Sequence, residues 1–273
     1  MALSVITINL NNCNGLKKTV ESIEAQTYKD FEWIVVDGGS TDGSRELIEE
    51  HTKQIAKWVS EPDTGIYNAM NKGVRMATGD YLLFLNSGDS LASSHVIQRA
   101  EEEIATLLSK SEKRPEIFIG KQNVTDAQGK ILRKEGFSQE ELTLLFIYLY
   151  QVPHQSTFIS RSLLLTNPYD ESLKTASDWK FFLETIILQN VPVEILSTII
   201  ADYDSGGISS NASLHDKECE YVFRSLFPPR IVADYMKDGP RKYDIYRLGW
   251  LLRHKFAYKL CRLITSIGMK FCA

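Results

Sequence analysis

Apolar residues along this chain come in short dense runs, and most runs end against small or polar residues. Leu3–Leu10 is rich in β-branched residues and predicts a buried strand. Asn11-Asn12-Cys13-Asn14-Gly15 reads as a turn, after which Leu16, Val20 and Ile23 recur at helical spacing through Ala25. Phe31–Val36 predicts a second strand, Arg45–His51 a helix capped by Asp42 or Ser44, and Ile55–Ser60 a third strand. Ile66–Ala77 predicts a helix closed by Thr78-Gly79, and Tyr81–Leu85 a fourth strand. Strand and helix therefore alternate over residues 3–85, the pattern of a parallel, Rossmann-like sheet.

Beyond Asp89 the pattern loosens. Ser94–Leu108 and Gln139–Tyr150 have helical character, with a hairpin of Glu116–Val124 and Lys130–Lys134 between them. Ser156–Ile159 predicts a short strand, Ala176–Gln189 a helix and Val193–Ala201 a last strand. Tyr203–Asn211 is rich in Gly and Ser and reads as a mobile loop suited to closing over a site. Pro228-Pro229 marks the best boundary. This divides the chain into an α/β domain over 1–227, with halves 1–90 and 91–227, and a helical extension over 228–273.

Three of the predicted strands run into carboxylates: Asp37, Asp63 and, after Asn86-Ser87-Gly88, Asp89. In an open α/β sheet, ligands bind outside the carboxyl ends of the strands. Acids converging there are costly unless a cation or hydrogen-bond donors meet them. Neither G-x-G-x-x-G nor G-x-x-x-x-G-K-[ST] occurs, so the edge looks built for a divalent ion and sugar hydroxyls rather than a backbone phosphate cradle.

Charge sharpens this picture. Residues 230–273 hold ten Lys and Arg against three Asp and Glu, net +7, which leaves the body at −11. Tyr246, Trp250, Phe256 and Tyr258 interleave with Arg247, Arg253, Lys255 and Lys259, so residues 243–269 suit an anionic membrane surface. The rival reading packs that segment on the α/β body or on a partner subunit. No nucleic-acid partner is expected. The four cysteines, Cys13, Cys219, Cys261 and Cys272, show no metal-ligand spacing. With no signal peptide at the start, they suggest a reduced, cytoplasmic protein, peripheral at the inner face of the membrane.

Four motifs in order carry a resemblance: Val5-Ile6-Thr7-Ile8-Asn9, Val35-Val36-Asp37-Gly38-Gly39-Ser40-Thr41-Asp42-Gly43-Ser44, Asp63-Thr64-Gly65-Ile66-Tyr67-Asn68-Ala69-Met70-Asn71-Lys72-Gly73 and Ala77-Thr78-Gly79-Asp80-Tyr81. Together they resemble the family 2 glycosyltransferases of bacterial polysaccharide biosynthesis, which have the GT-A fold, over roughly residues 3–225. That resemblance implies an inverting transfer from a nucleotide-sugar donor, UDP-linked, to a saccharide or lipid-linked acceptor. It assigns Thr7, Asn9, Asp37, Asp63, Asn71 and Lys72 to the nucleotide. Asn86-Ser87-Gly88-Asp89 falls where the family shows an acidic metal motif, with Asp89 alone retained to hold Mn²⁺ or Mg²⁺. Ala176-Ser177-Asp178-Trp179 resembles the segment of the catalytic base and makes Asp178 the residue that deprotonates the acceptor. Asn86, His154, Gln155 and Trp179 are implied in the donor and acceptor pocket. His215 reads as a further metal ligand or a solvated helix residue. The depleted metal motif leaves one rival class, a non-catalytic nucleotide-sugar-binding or membrane-scaffold protein.

Overall fold

The computed structural model describes residues 2–126, 128–204, 212–236, 253, 254 and 259. Strands β1 (Leu3–Asn9), β2 (Glu32–Asp37), β3 (Lys57–Ser60) and β4 (Tyr81–Phe84) form the predicted parallel half-sheet, in the order β3-β2-β1-β4. Between them lie α1 (Cys13–Glu24), α2 (Ser44–Glu50) and α3 (Ile66–Met76). The second half adds β5 (Ser90–Leu91), α4 (Val96–Lys110), β6 (Ile117–Thr125) and β7 (Ile131–Glu135). It continues through α5 (Leu144–Tyr150), β8 (Thr157–Ser160), α6 (Arg161–Thr166), α7 (Ser177–Phe182) and β9 (Val193–Asp204), then α8 (Ala212–Leu226) and α9 (Pro229–Tyr235). Here the sheet is mixed: β8 runs antiparallel to both β4 and β6, whereas β6 and β9 are parallel.

Alternation along β1 divides the core. Leu3 and Val5 face one layer with Leu16, Val20, Trp33, Ile97 and Ile104. Ile6 and Ile8 face the other, with Met70, Val74, Phe181, Phe182 and Phe223. Thr7 shares the parity of Val5, so its side chain enters the first layer. There it is fully buried, and its hydroxyl accepts a hydrogen bond from the Trp33 indole N–H (3.1 Å). Thr7 therefore satisfies a core tryptophan and does not present its side chain to a nucleotide, as the sequence had suggested.

Two elements differ from the sequence expectation. The Gln139–Tyr150 segment breaks at Thr143, whose hydroxyl caps a fresh helix by accepting from Phe146 N (3.4 Å). The Ala176–Gln189 helix loosens into a π-turn over Leu183–Leu188, which accommodates a run of bulky residues. Helix α6 was not read from the sequence. Ser160 caps it, its hydroxyl accepting from Leu163 N (3.2 Å).

The opposite edge of the sheet is tied by Glu32. Its carboxylate accepts from Ser4 Oγ (2.6 Å) and Thr78 N (2.8 Å) and pairs with Lys57 Nζ (2.8 Å). Burial pushes the carboxyl up, but Lys57, Ser4 and Thr78 together outweigh it and hold it down at about 2. A depressed folded-state value contributes stability above the unfolded-state value of 4.5, lost as pH falls through about 2. Acid unfolding followed by circular dichroism is expected to lose part of its stability in this window, and Glu32→Gln to flatten that part of the curve.

Candidate active site

At the carboxyl edge of the parallel half, Asn9 and Asp37 end adjacent strands in register. Asn9 Nδ2 donates to Asp37 Oδ1 (2.8 Å) and to Ser40 Oγ (3.2 Å), while Asn9 Oδ1 stays buried with no partner. Asp37 also accepts from Ser40 N (2.9 Å) and from the hydroxyls of Ser40 (2.5 Å) and Ser60 (2.6 Å). Burial pushes the Asp37 carboxyl up, yet these donors outweigh it and hold it below the usual carboxylate range. Asp37 is thus a fixed anion at the crevice floor. Asp42 stitches the loop after β2 to the start of α1, accepting from Cys13 N (2.8 Å) and Ser44 Oγ (2.6 Å).

Asp63 follows β3 and accepts from Gly65 N (2.9 Å). Its other oxygen lies over Gly38, where an added Cβ would come within 2.6 Å, so only glycine lets Asp63 approach the end of β2. Lys72 pairs with Glu61 (2.8 Å) on the loop after β3. Asn71 has a different task from the predicted one. It is 4% exposed; Nδ2 donates to Tyr169 O (2.9 Å) and Glu171 Oε1 (2.9 Å), and Oδ1 accepts from Tyr169 N (3.0 Å). All its polar atoms clamp α3 to residues 169–171 rather than meeting a nucleotide.

The Asn86–Asp89 loop is carried by α1. Lys18 Nζ donates to Gly88 O (2.9 Å), Thr19 Oγ1 donates to Asp89 O (2.7 Å), and Gly88 N donates back to Thr19 Oγ1 (3.1 Å). Gly88 has φ +106°, a left-handed geometry that favours glycine, and this turn brings Asp89 in at 6% exposure. Among the described residues no three His, Cys, Asp or Glu side chains gather into a metal cage. Asp89 can supply one hard carboxylate ligand, leaving phosphate and water oxygens to complete the shell of a divalent ion.

Across the crevice, Asp178 sits in the first turn of α7. Its Oδ1 accepts from the Tyr67 hydroxyl (2.8 Å) and its Oδ2 faces His154 Nδ1 (3.1 Å). His154 and Asp178 are each only 18% exposed. Burial pushes the Asp178 carboxyl up, but hydrogen bonding and charge from His154, with help from Tyr67, hold it below its ordinary value. Burial lowers His154, and the Asp178 and Asp89 charges more than reverse that. His154 Nε2 lies 3.5 Å from Asn86 Nδ2, so the imidazole spans from Asp178 to the Asn86–Asp89 loop. Asn86 Oδ1 is buried without a partner.

Trp179 turns away from this crevice. It is 2% exposed, its indole N–H donates to Ile147 O (2.9 Å), and its ring packs with Tyr148 and Phe223. It anchors α7 to α5 and does not line the pocket. Gln155 is buried next to His154. His215 is neither solvated nor a ready metal ligand: Nδ1 donates to Thr175 O (3.1 Å), and Nε2 lies 2.6 Å from the Gln151 amide and 3.4 Å from Cys219 Sγ. Burial, with Asp178 nearby, pushes that thiol up to about 12.

The structure thus gathers Asp178, His154, Asn86 and Asp89 on one side, and Asn9, Asp37 and Asp63 at the parallel strand ends. Sequence reading gave no role to Tyr67, Lys18 or Glu171. The signal for Tyr67 was available, since it stands at the start of α3 inside the quoted Asp63–Gly73 motif.

Residues 4–107 match the family model described as glycosyl transferase family 2. An uncharacterized glycosyltransferase of Mycobacterium tuberculosis is 33% identical over 218 residues, 77% of this chain and 77% of that protein. Among solved structures, S. aureus TarS in complex with UDP-GlcNAc shares the fold with a TM-score of 0.64 at 19% identity, over 90% of this chain and 70% of that one. Glucosyl-3-phosphoglycerate synthase from Mycobacterium tuberculosis, solved with Mn²⁺, UDP and glucosyl-3-phosphoglycerate, gives 0.55 at 16% identity, over 82% of this chain and 79% of that one. With its motifs in order on a GT-A sheet and a relative matched over most of both lengths, the chain belongs to glycosyl transferase family 2 and is a glycosyltransferase.

Proposed function

We propose that this enzyme moves a sugar from a UDP-linked donor to a saccharide or lipid-linked acceptor with inversion at the anomeric carbon. The observation that carries the reading is the line from Asp178 through His154 to Asn86, which joins a half-buried carboxylate to the Asn86–Asp89 motif. The acceptor hydroxyl attacks the anomeric carbon opposite the diphosphate and gives its proton to Asp178 as the carbon–oxygen bond to the diphosphate breaks. Asn9, Asp37 and Asp63 form the nucleoside end and Lys72 stands toward the diphosphate, with residues 1–90 the donor half and 91–227 the acceptor half. Asp89 would hold a divalent ion, which when bound would supply charge against the departing diphosphate. Structural relatives solved with UDP-GlcNAc, and with UDP and Mn²⁺, favour uridine and manganese.

Among the described residues no helix is long and apolar enough to cross a membrane. Most of 243–269 lies outside the described residues, as does most of the predicted loop Tyr203–Asn211, whose first two residues end β9 instead. Arg253 is described: its guanidinium lies 3.8 Å from the centroid of the Tyr150 ring and 3.5 Å from Glu141. That contact favours packing on the body at this residue, with the surrounding basic positions left to a membrane surface.

Calorimetric titration of UDP, with GDP as comparator, tests the donor site. UDP binding should strengthen with Mn²⁺ in the native protein and lose that dependence in Asp89→Asn. Equal binding with and without the ion in the native protein would remove the metal from the reading. Preference for GDP would replace the base.

A further inference from the structure

The acceptor side of the site contains a carboxylate where a carboxylate is hard to keep charged. Asp178 stands among buried aromatic side chains: Tyr67 and Tyr169 are in ring contact, Phe84 and Phe181 pack on Tyr169, and the Tyr169 hydroxyl is buried with no partner. Such surroundings favour the neutral acid, which cannot take a proton. Two groups oppose that tendency. Tyr67 donates to Oδ1 as a neutral phenol, and His154 Nδ1 stands at Oδ2. The backbone at His154 is itself pinned. It lies in a tight turn, His154–Ser156, directly after Pro153, and the Thr157 hydroxyl donates to Pro153 O (2.8 Å) to pin that turn.

We propose that His154 is a positioning residue for the transfer: its Nδ1–H holds Asp178 ionised and turned so that the lone pairs unused by His154 and Tyr67 face the acceptor. The proposal rests on the reading of Asp178 as the base. During the step the acceptor oxygen bonds to the anomeric carbon, its proton passes to Asp178, and the electron pair of the broken bond leaves with the diphosphate. His154 keeps its own Nδ1 proton throughout. Asn86 completes the arrangement, because its amide can turn either its NH₂ or its carbonyl toward Nε2 and so match either protonation state of the ring. The groups that bear on the pair come from every neighbouring element. Tyr67 comes from α3, Tyr169 and Cys219 sense the Asp178 charge, and Asp89 acts on His154 from the donor loop.

The test compares native protein, His154→Gln and Asp178→Asn. Carboxyl-¹³C aspartate labelling follows Asp178, its resonance assigned by its loss in Asp178→Asn. UDP release from UDP-GlcNAc, UDP-glucose and UDP-galactose, with water as acceptor, follows turnover. In His154→Gln the Asp178 midpoint should move to higher pH, and the acid limb of the rate profile should move with it. At neutral pH kcat should fall about a hundredfold, the scale of a misplaced reacting group, with UDP affinity unchanged. An Asp178 midpoint that stays in place in His154→Gln, or an acid limb that does not move, would overturn the proposal and leave His154 a pocket wall. Native turnover in Asp178→Asn would instead sink the base reading itself, while the ¹³C titration would still report whether the pair exists.

Discussion

Asp178→Asn is expected to lower turnover by about 10²–10⁴-fold, the usual contribution of a positioned general base, with UDP binding intact. The substitution keeps the shape of the side chain and an oxygen for Tyr67 or His154 to donate to, so α7 has no reason to move. What it removes is the proposed site for the acceptor proton. The proposed donor site lies at the ends of β1 and β2 and the loop after β3, none of which Asp178 contacts through a hydrogen bond. The measurement is a pair of initial-rate and calorimetric experiments on the same preparation. A mutant with native kcat would show that the proton leaves by another route, and weakened UDP binding would show that Asp178 is needed to shape the donor site.

The second large effect concerns stability. Asn71→Leu should destabilise the protein by about 2–5 kcal/mol, because it strands both backbone polar groups of Tyr169 in a buried place and each costs about 1–3 kcal/mol. Nδ2 and Oδ1 of Asn71 together imitate a strand partner for Tyr169, and no apolar side chain of that size can do so. The ring of Tyr169 packs on Phe84 and Phe181, so a loosened residue 169 disturbs β4 and α7 at once. Urea unfolding would register the loss as a lower midpoint. Undiminished stability with weakened UDP binding would restore Asn71 to the nucleotide.

These two residues illustrate what could be read before the fold was known. The place of Asp178 at the start of a helix was legible because it follows a recognisable segment. Asp37 and Asp89 were legible because an apolar run of strand length ends at or just before each. Asn71 lies inside an equally recognisable motif, yet its task is set by residues 98 and 100 positions away, and no local pattern records such a contact. Thr7 failed for a simpler reason. Alternation puts it on the same face as Val5, which could be read, but the Trp33 indole waiting on that face could not. The parallel half of the sheet followed from strand and helix spacing. The antiparallel placement of β8 did not, because a tetrad as short as Thr157–Ser160 carries no sign of its direction. Helix α6 was hidden because its first turn, Arg161-Ser162-Leu163-Leu164, is too short to establish a period.

Strand β4 has a mechanical consequence. It bonds β1 on one side and β8 on the other, so a single hydrogen-bonded sheet runs without a break from the parallel half into the mixed half. Pulling the halves apart would mean tearing ladder bonds around Leu82 and Leu83, both fully buried. The enzyme therefore has no jaw. In the proposed reading its two substrates meet over that continuous floor, and admission and release fall to the connections above the carboxyl edge, whose lengths and sequences can diverge without disturbing the floor.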